Sequence, residues 1–322
     1  MRYRRVRLQD GSFAVAVWWD GRWFPLTAFE EELGEAARDL LALLARGPEG
    51  EARLQDLLAR GREPEPFDPT PLLPFRPLTF RDFMLFEEHA IQATKGWLRR
   101  FAPSAYRVVN LYEAIFKKPH PKVRPSALWY RRPIYYMSNP LSFITEGETV
   151  PWPSYTRALD YELELGFVIV RPLRNATPEA AREAIGGFFV LNDFSARDVQ
   201  AAEMRSGFGP VKAKNFATAM AAEVVSAWEV LPRWRELRGR VRINGTVVAE
   251  GRAANPRYDI TEAVAYASLG ETLHPGEVMA TGTFPGCCAL ESGHWPQPGD
   301  RVTLEIDGIG RLENVIGEPE GG

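Results

Sequence analysis

The densest run of acid in the chain is Leu159-Asp160-Tyr161-Glu162-Leu163-Glu164-Leu165-Gly166, which leads directly into Phe167-Val168-Ile169-Val170. Side chains alternate between the two faces of a strand. Asp160, Glu162 and Glu164 therefore share one face, and Tyr161, Leu163 and Leu165 the other. The apolar run that follows reads as a strand buried on both faces, which sets the acidic row at the mouth of a core strand. Carboxylates this close repel unless a cation or a base holds them. Hard divalent cations take oxygen ligands of this kind. An edge strand with a solvated acidic face accounts for the same residues.

Two further segments carry chemistry. In Gly187-Phe188-Phe189-Val190-Leu191-Asn192-Asp193 an apolar strand ends on Asp193, at a strand-to-helix corner where functional side chains are common. Ser195 and Asp198 have capping-box spacing, so a helix is predicted over 195–205, with Arg197 and Gln200 on one face. A surface pair would explain those two equally. Lys212 and Lys214 follow in a loop, in a chain where lysine is scarce. Upstream, the spacing predicts a helix over 80–100, capped by Thr79 and Asp82. Asp82 and His89 would then lie two turns apart on one face, where a carboxylate and an imidazole could act as metal ligand and general base. His89 alone of the four histidines sits in a predicted helix; His120, His274 and His294 lie beside proline or in Pro/Gly-rich turns.

The elements that position these residues are readable around them. Asp10-Gly11 and Asp20-Gly21 separate β-prone runs over residues 3–26 and predict hairpins. Residues 28–60 read as helix, with leucines at helical spacing. Arg62 to Pro77 holds six prolines in sixteen residues, which excludes helix and central strand. It reads as a linker or wrapping segment and places a boundary near residue 75, between a small N-terminal unit (1–75) and a catalytic unit (76–322). Strands are predicted at 161–170, 187–192, 240–250, 277–281 and 301–306, with helices at 195–205 and 261–268. This is a β-dominated α+β pattern without regular βα alternation.

Composition narrows the function classes. The 322 residues are 45% hydrophobic and 25% charged, an ordinary globular balance. A net charge of -3, with no basic stripe interleaved with aromatics, disfavours nucleic acid as a partner. The longest clean apolar stretch, Phe13 to Trp19, falls far short of a membrane span, and no small-residue cleavage site follows it. The two cysteines, Cys287 and Cys288, are adjacent, a poor geometry for bridging each other. A reducing cytoplasm is the expected location.

Taken in order, Asp-x6-His (82–89), Asp-Tyr-Glu-x-Glu (160–164), Asn-Asp-x-Ser-Ala-Arg-Asp-x-Gln (192–200) and Ala-Thr-Gly-Thr (280–283) resemble the fumarylacetoacetate hydrolase family. The resemblance spans roughly residues 78–310, and the β-rich N-terminal unit suits the longer members. It implies a mixed β-sandwich roll, usually a homodimer. It also implies one divalent cation, Mg2+ or Ca2+ with Mn2+ as a further choice, held by Asp82, Glu162, Glu164 and Asp193. His89 matches the water-activating base and Glu291 the acid that orients it. Arg197, Gln200 and Lys214 match groups that stabilise charge on substrate and leaving group. Tyr136 and Thr283 match substrate-contacting positions. Met84 and Met204 stand where fumarylacetoacetate-cleaving members carry tyrosines, and methionine cannot donate a hydrogen bond to a carboxylate. Arg99, with Arg100 beside it, lies one position from a carboxylate-binding arginine.

The implied reaction is hydrolysis of the carbon–carbon bond of a 1,3-diketo acid. His-activated water would attack, and the departing enolate would be held by the metal and the cationic side chains. Decarboxylation, tautomerisation or hydration of a related keto acid would use the same scaffold. A binding module with a structural Ca2+ is the non-catalytic alternative.

Overall fold

A computed structural model describes residues 1–321. Its main element is a twelve-stranded sheet. Nine of its strands form the central path: β1 (Arg2–Leu8), β2 (Phe13–Trp19), β3 (Arg22–Pro25), β4 (Thr79–Phe83), β5 (Tyr135–Ser138), β6 (Glu162–Ile169), β7 (Ile185–Asn192), β8 (Glu223–Ser226) and β9 (Glu277–Cys288). Their order across the sheet is β3-β2-β1-β8-β7-β6-β9-β4-β5. The longer helices include α1 (Glu87–Phe101), α2 (Pro103–Phe116) and α3 (Arg197–Ser206). A single-turn helix, α4 (Ala289–Ser292), follows β9 directly.

β6 lies between β7 and β9, both antiparallel to it, so it is an interior strand. This removes the reading of the acidic row as a solvated edge. The odd-numbered face of β6 (Leu163, Leu165, Phe167 and Ile169) packs in one core with Val241, Leu304, Ile306, Leu312 and Ile316 of a second, five-stranded sheet. The two sheets thus form the expected sandwich. The even-numbered face divides along its length: Val168 joins Phe189, Leu191, Leu44, Leu54 and Leu58 in a second core, and Glu162 and Glu164 lie at the other end.

The first 58 residues share that second core and extend the main sheet, since β1 pairs with β8 through Arg2, Tyr3 and Arg4. Both predicted hairpins form; Asp20 and Gly21 take φ of 48° and 77°, the left-handed pair a two-residue hairpin turn needs. The proline-rich segment runs across this unit. Phe67–Asp68 pairs with the end of β1, and Phe75 is buried in the second core.

Three expectations about elements are corrected. Residues 28–60 are not one helix but a chain of short turns ending in Leu40–Leu44 and Gly47–Leu58, broken where Gly34 and Gly47 adopt positive φ and where Asp39 caps a new start. Residues 240–250 are a hairpin, Arg238–Ile243 and Thr246–Arg252, turned at Asn244-Gly245. Residues 80–100 begin as strand, because Thr79–Asp82 pairs in parallel with Glu277–Ala280, one strand in from the edge of the sheet. Helix α1 starts only at Glu87, with no side-chain cap. Among the described residues, no helix is long and apolar enough to cross a membrane.

Candidate active site and metal centre

The carboxylates converge from three strands of the main sheet, β7, β6 and, beyond β9, β4. Glu164 projects from β6, Asp193 follows the last residue of β7, and Asp82 sits on β4. One oxygen from each lies within 4.8 Å of the other two. Asp82 Oδ1, Glu164 Oε2 and Asp193 Oδ1 are buried and have no hydrogen-bond partner. An orphaned buried carboxylate oxygen carries a desolvation cost of several kcal/mol, and three aimed at one point fit a cation. An all-oxygen donor set suits a hard ion. Burial, then mutual repulsion, raises Asp82 and Glu164 well above the usual carboxylate range.

Glu162 differs from these three. Its Oε1 accepts from Arg197 Nη2 at 2.6 Å, and its Oε2 accepts from Ser195 Oγ at 3.2 Å and from the Lys214 ammonium. Against its burial, Arg197 and Lys214 lower Glu162 below the carboxylate range. The resemblance names Glu162 as a fourth ligand; here both its oxygens are engaged by cations and a hydroxyl. Lys214 also pairs with Asp193. Lys214, in its loop, is only 2% exposed and so is a buried charge. Its loop is fixed by Ala196 N donating to Ala213 O and by Asn215 accepting from Ser138 Oγ and Asn139 N.

Asp160 has a separate task. Its carboxylate accepts from Arg197 Nε at 2.7 Å and from the main-chain amides of Ala289 and Leu290. It therefore ties the start of α3 to the start of α4. Arg197 is buried between Asp160 and Glu162 and also donates to Gln200 Oε1 at 2.9 Å. Five buried carboxylates (Asp82, Asp160, Glu162, Glu164, Asp193) thus face two buried cations, an excess that a divalent ion offsets.

His89 stands in the first turn of α1, 7% exposed. Its Nδ1 lies 2.8 Å from Glu291 Oε2 on α4, and its Nε2 faces Glu162 Oε1 at 3.6 Å. Burial alone would lower the imidazole pKa, but the charges of Glu291 and Glu162 outweigh it and raise it. Gly96 sets the approach of α1 to α4: a Cβ there would meet Leu290 O at 1.9 Å. The Tyr136 hydroxyl on β5 donates to Asp193, and Thr283 Oγ1 lies 3.3 Å from Glu164 Oε1.

Five expected positions fall elsewhere or act differently. Arg99 donates to Leu290 O at 3.2 Å and clamps α1 to α4. Met84 and Met204 are exposed side chains, at 37% and 53%. Ser195 is not a helix cap; it lies in a two-residue strand, Ser195–Ala196, paired with Leu159–Asp160, and its hydroxyl serves Glu162. Asp198 accepts from Thr156 Oγ1 and Arg157 N in place of a capping role. Sequence reasoning passed over Asp160 as a site residue, although its place in the acidic row was the available signal. Nor did the adjacency of the two cysteines point to Cys288 Sγ, which lies 3.3 Å from Glu291 Oε2.

A β-sandwich that gathers an all-oxygen cluster beside an imidazole–carboxylate pair fits a class of divalent-metal enzyme. The chain belongs to the fumarylacetoacetate hydrolase family: residues 108–317 match the family described as fumarylacetoacetate (FAA) hydrolase C-terminal. Asp82 and His89 lie upstream of that match. The 4-hydroxyphenylacetate degradation bifunctional isomerase/decarboxylase of Escherichia coli is 30% identical over 184 residues, 57% of this chain and 41% of that protein. The human mitochondrial oxaloacetate tautomerase is 27% identical over 188 residues, 58% of this chain and 82% of that one. The solved fumarylacetoacetate hydrolase of Exiguobacterium antarcticum superposes with a TM-score of 0.64 over 98% of this chain and 99% of that one, at 21% identity.

Proposed function

We propose that the protein hydrolyses the carbon–carbon bond of a 1,3-diketo acid, with Asp82, Glu164 and Asp193 holding Mg2+, Ca2+ or Mn2+ and Glu162 completing the acidic wall. The observation that carries this reading is the His89–Glu291 pair at 2.8 Å, set beside three orphaned carboxylate oxygens. A bound divalent cation supplies Lewis-acid polarisation of a chelating dicarbonyl.

The side chains do the rest. Glu291 accepts from Nδ1 of His89, which leaves Nε2 free to take a proton from water. The oxygen of that water bonds to one carbonyl carbon, and the adjacent carbon–carbon bond breaks, leaving its electron pair on an enolate. The His89 imidazolium, stabilised by Glu291, returns its proton to the enolate carbon. Lys214, Arg197 and Gln200 are placed to stabilise the developing negative charge, where one well-aimed donor is worth about 3–4 kcal/mol. Tyr136 and Thr283, each bonded to a cluster carboxylate, line the same wall. Homodimer assembly belongs to this reading, and light scattering tests it.

A second reading has specific support from two relatives, one named an isomerase/decarboxylase and the other an oxaloacetate tautomerase. In it His89 moves a proton between carbon and oxygen of a keto acid, and no water is added. One experiment separates the two. Enol absorbance is followed with acylpyruvates and fumarylacetoacetate-like diketones, with Mg2+ and with chelator, for wild type and His89→Ala. Metal-dependent cleavage that His89→Ala loses supports the hydrolase. Intact diketones together with metal-dependent tautomerisation or decarboxylation of oxaloacetate would replace it with the second reading.

A further inference from the structure

The two nitrogens of His89 face different surroundings. Nε2 looks toward Glu162, and Nδ1 looks toward Glu291, whose Oε2 also meets Cys288 Sγ. On the Nδ1 side, His89, Cys288 and Glu291 offer a nitrogen, a sulfur and an oxygen within 4.8 Å of one another. Glu291 Oε2 is 2.8 Å from Nδ1 and 3.3 Å from Sγ. Its other oxygen, Oε1, is buried with no hydrogen-bond partner, on a side chain 4% exposed. Cys288 is fully buried and free.

This donor set is chemically unlike the first. Three carboxylate oxygens select a hard ion, whereas imidazole, thiolate and carboxylate together select zinc or a similar borderline-soft ion. A tetrahedral zinc with bonds of about 2.0–2.3 Å keeps its ligand atoms about 3.3–3.8 Å apart, close to the separations already present. We propose that His89, Cys288 and Glu291 form a second metal site, for zinc or a cation like it, whose occupation silences the imidazole. The silencing, though not the site, rests on the role given to His89 above.

The proton balance explains the effect. At rest the Cys288 thiol is protonated, held so by burial and by the neighbouring Glu291 charge. Zinc displaces that proton to solvent, since a coordinating thiol is deprotonated. Zinc at Nδ1 replaces the proton donated to Glu291. That proton moves to Nε2, so the neutral ring carries its single proton on the nitrogen that must be bare to act as base. Mg2+ at the oxygen cluster does not compete for sulfur, so the two metals occupy their sites together.

The test uses the full chain with Mg2+ in excess. Co2+ reports thiolate coordination through its charge-transfer absorption, calorimetry counts bound Zn2+, and turnover is followed in parallel. Wild type should bind one Zn2+ beside Mg2+, show the thiolate–cobalt absorption and lose turnover as the site fills. Cys288→Val, an apolar replacement somewhat larger than the thiol, should turn over without zinc, lack the absorption and keep its turnover when zinc is added. Cys287→Val should behave as wild type. Cys288→Ser serves as a second variant should the valine disturb folding, and it too should lose the absorption. No thiolate–cobalt absorption in wild type, or equal zinc inhibition of Cys288→Val or Cys288→Ser, overturns the site. Zinc bound with turnover undiminished would leave the site standing and overturn His89 as the base.

Discussion

At the scale of single residues, Glu164 combines two opposed properties: it is needed for a cation and it is costly without one. Glu164→Gln should abolish Mg2+ binding by calorimetry while raising the melting temperature of the chelated protein, because it removes one of several repelling buried charges. Asp193→Ala should likewise lose Mg2+. Asp82 and Glu164 bind their protons more tightly folded than unfolded, so the chelated protein should lose stability as pH rises from the ordinary carboxylate range through their raised values. Saturating Mg2+ should reverse that slope, and thermal melts at several pH values check it. His89 is the other titrating residue. Its pKa is raised, so kcat/KM should rise with pH through a value above the ordinary ~6.5 of histidine. Glu291→Gln removes the main raising charge and should move that limb to lower pH while reducing the plateau rate. The acidic row was legible from strand alternation alone. The partnership of His89 with Glu291 was not, because 202 positions separate the two and only the fold joins them.

At the scale of elements, the separation between α1 and α4 decides whether that partnership exists. Gly96→Ala should favour an isolated helix by about 1 kcal/mol, yet its methyl would collide with Leu290 O. We expect the collision to win: α1 moves away from α4, kcat falls, and Mg2+ affinity, which depends on β4, β6 and Asp193, stays near wild type. Unchanged kcat in Gly96→Ala would show that this contact does not position the base. Elements were legible where a local signal exists, as at the Asp-Gly hairpins and the apolar runs of β6 and β7. β4 was misread because Thr79–Phe83 carries helix-start spacing, while its strand state is imposed by a partner 198 residues downstream. The Lys214 loop gave no sign of burial, because the charges that hold it arrive from other strands.

At the scale of the whole molecule, the proline-rich stretch marks a change in composition, but sheet and core continue across it. Leu44, Leu54 and Leu58 pack with Val168, Phe189 and Val224. We therefore expect one cooperative unfolding transition in urea, coincident by tryptophan fluorescence and far-UV circular dichroism. Two resolved transitions would support the boundary expected near residue 75. The parallel pairing of β4 with β9 carries a consequence for synthesis. A growing chain releases β4 early, and its parallel partner β9 emerges about 10–40 s later at the usual pace of translation. Through that interval β4 can pair only with β5, and its other edge stays open to any passing strand. Long-range pairing of this kind is slow to form even in the complete chain. The acidic wall thus cannot be assembled until β9 has emerged, and a nascent chain would gain most from a chaperone between the release of residue 83 and that of residue 288.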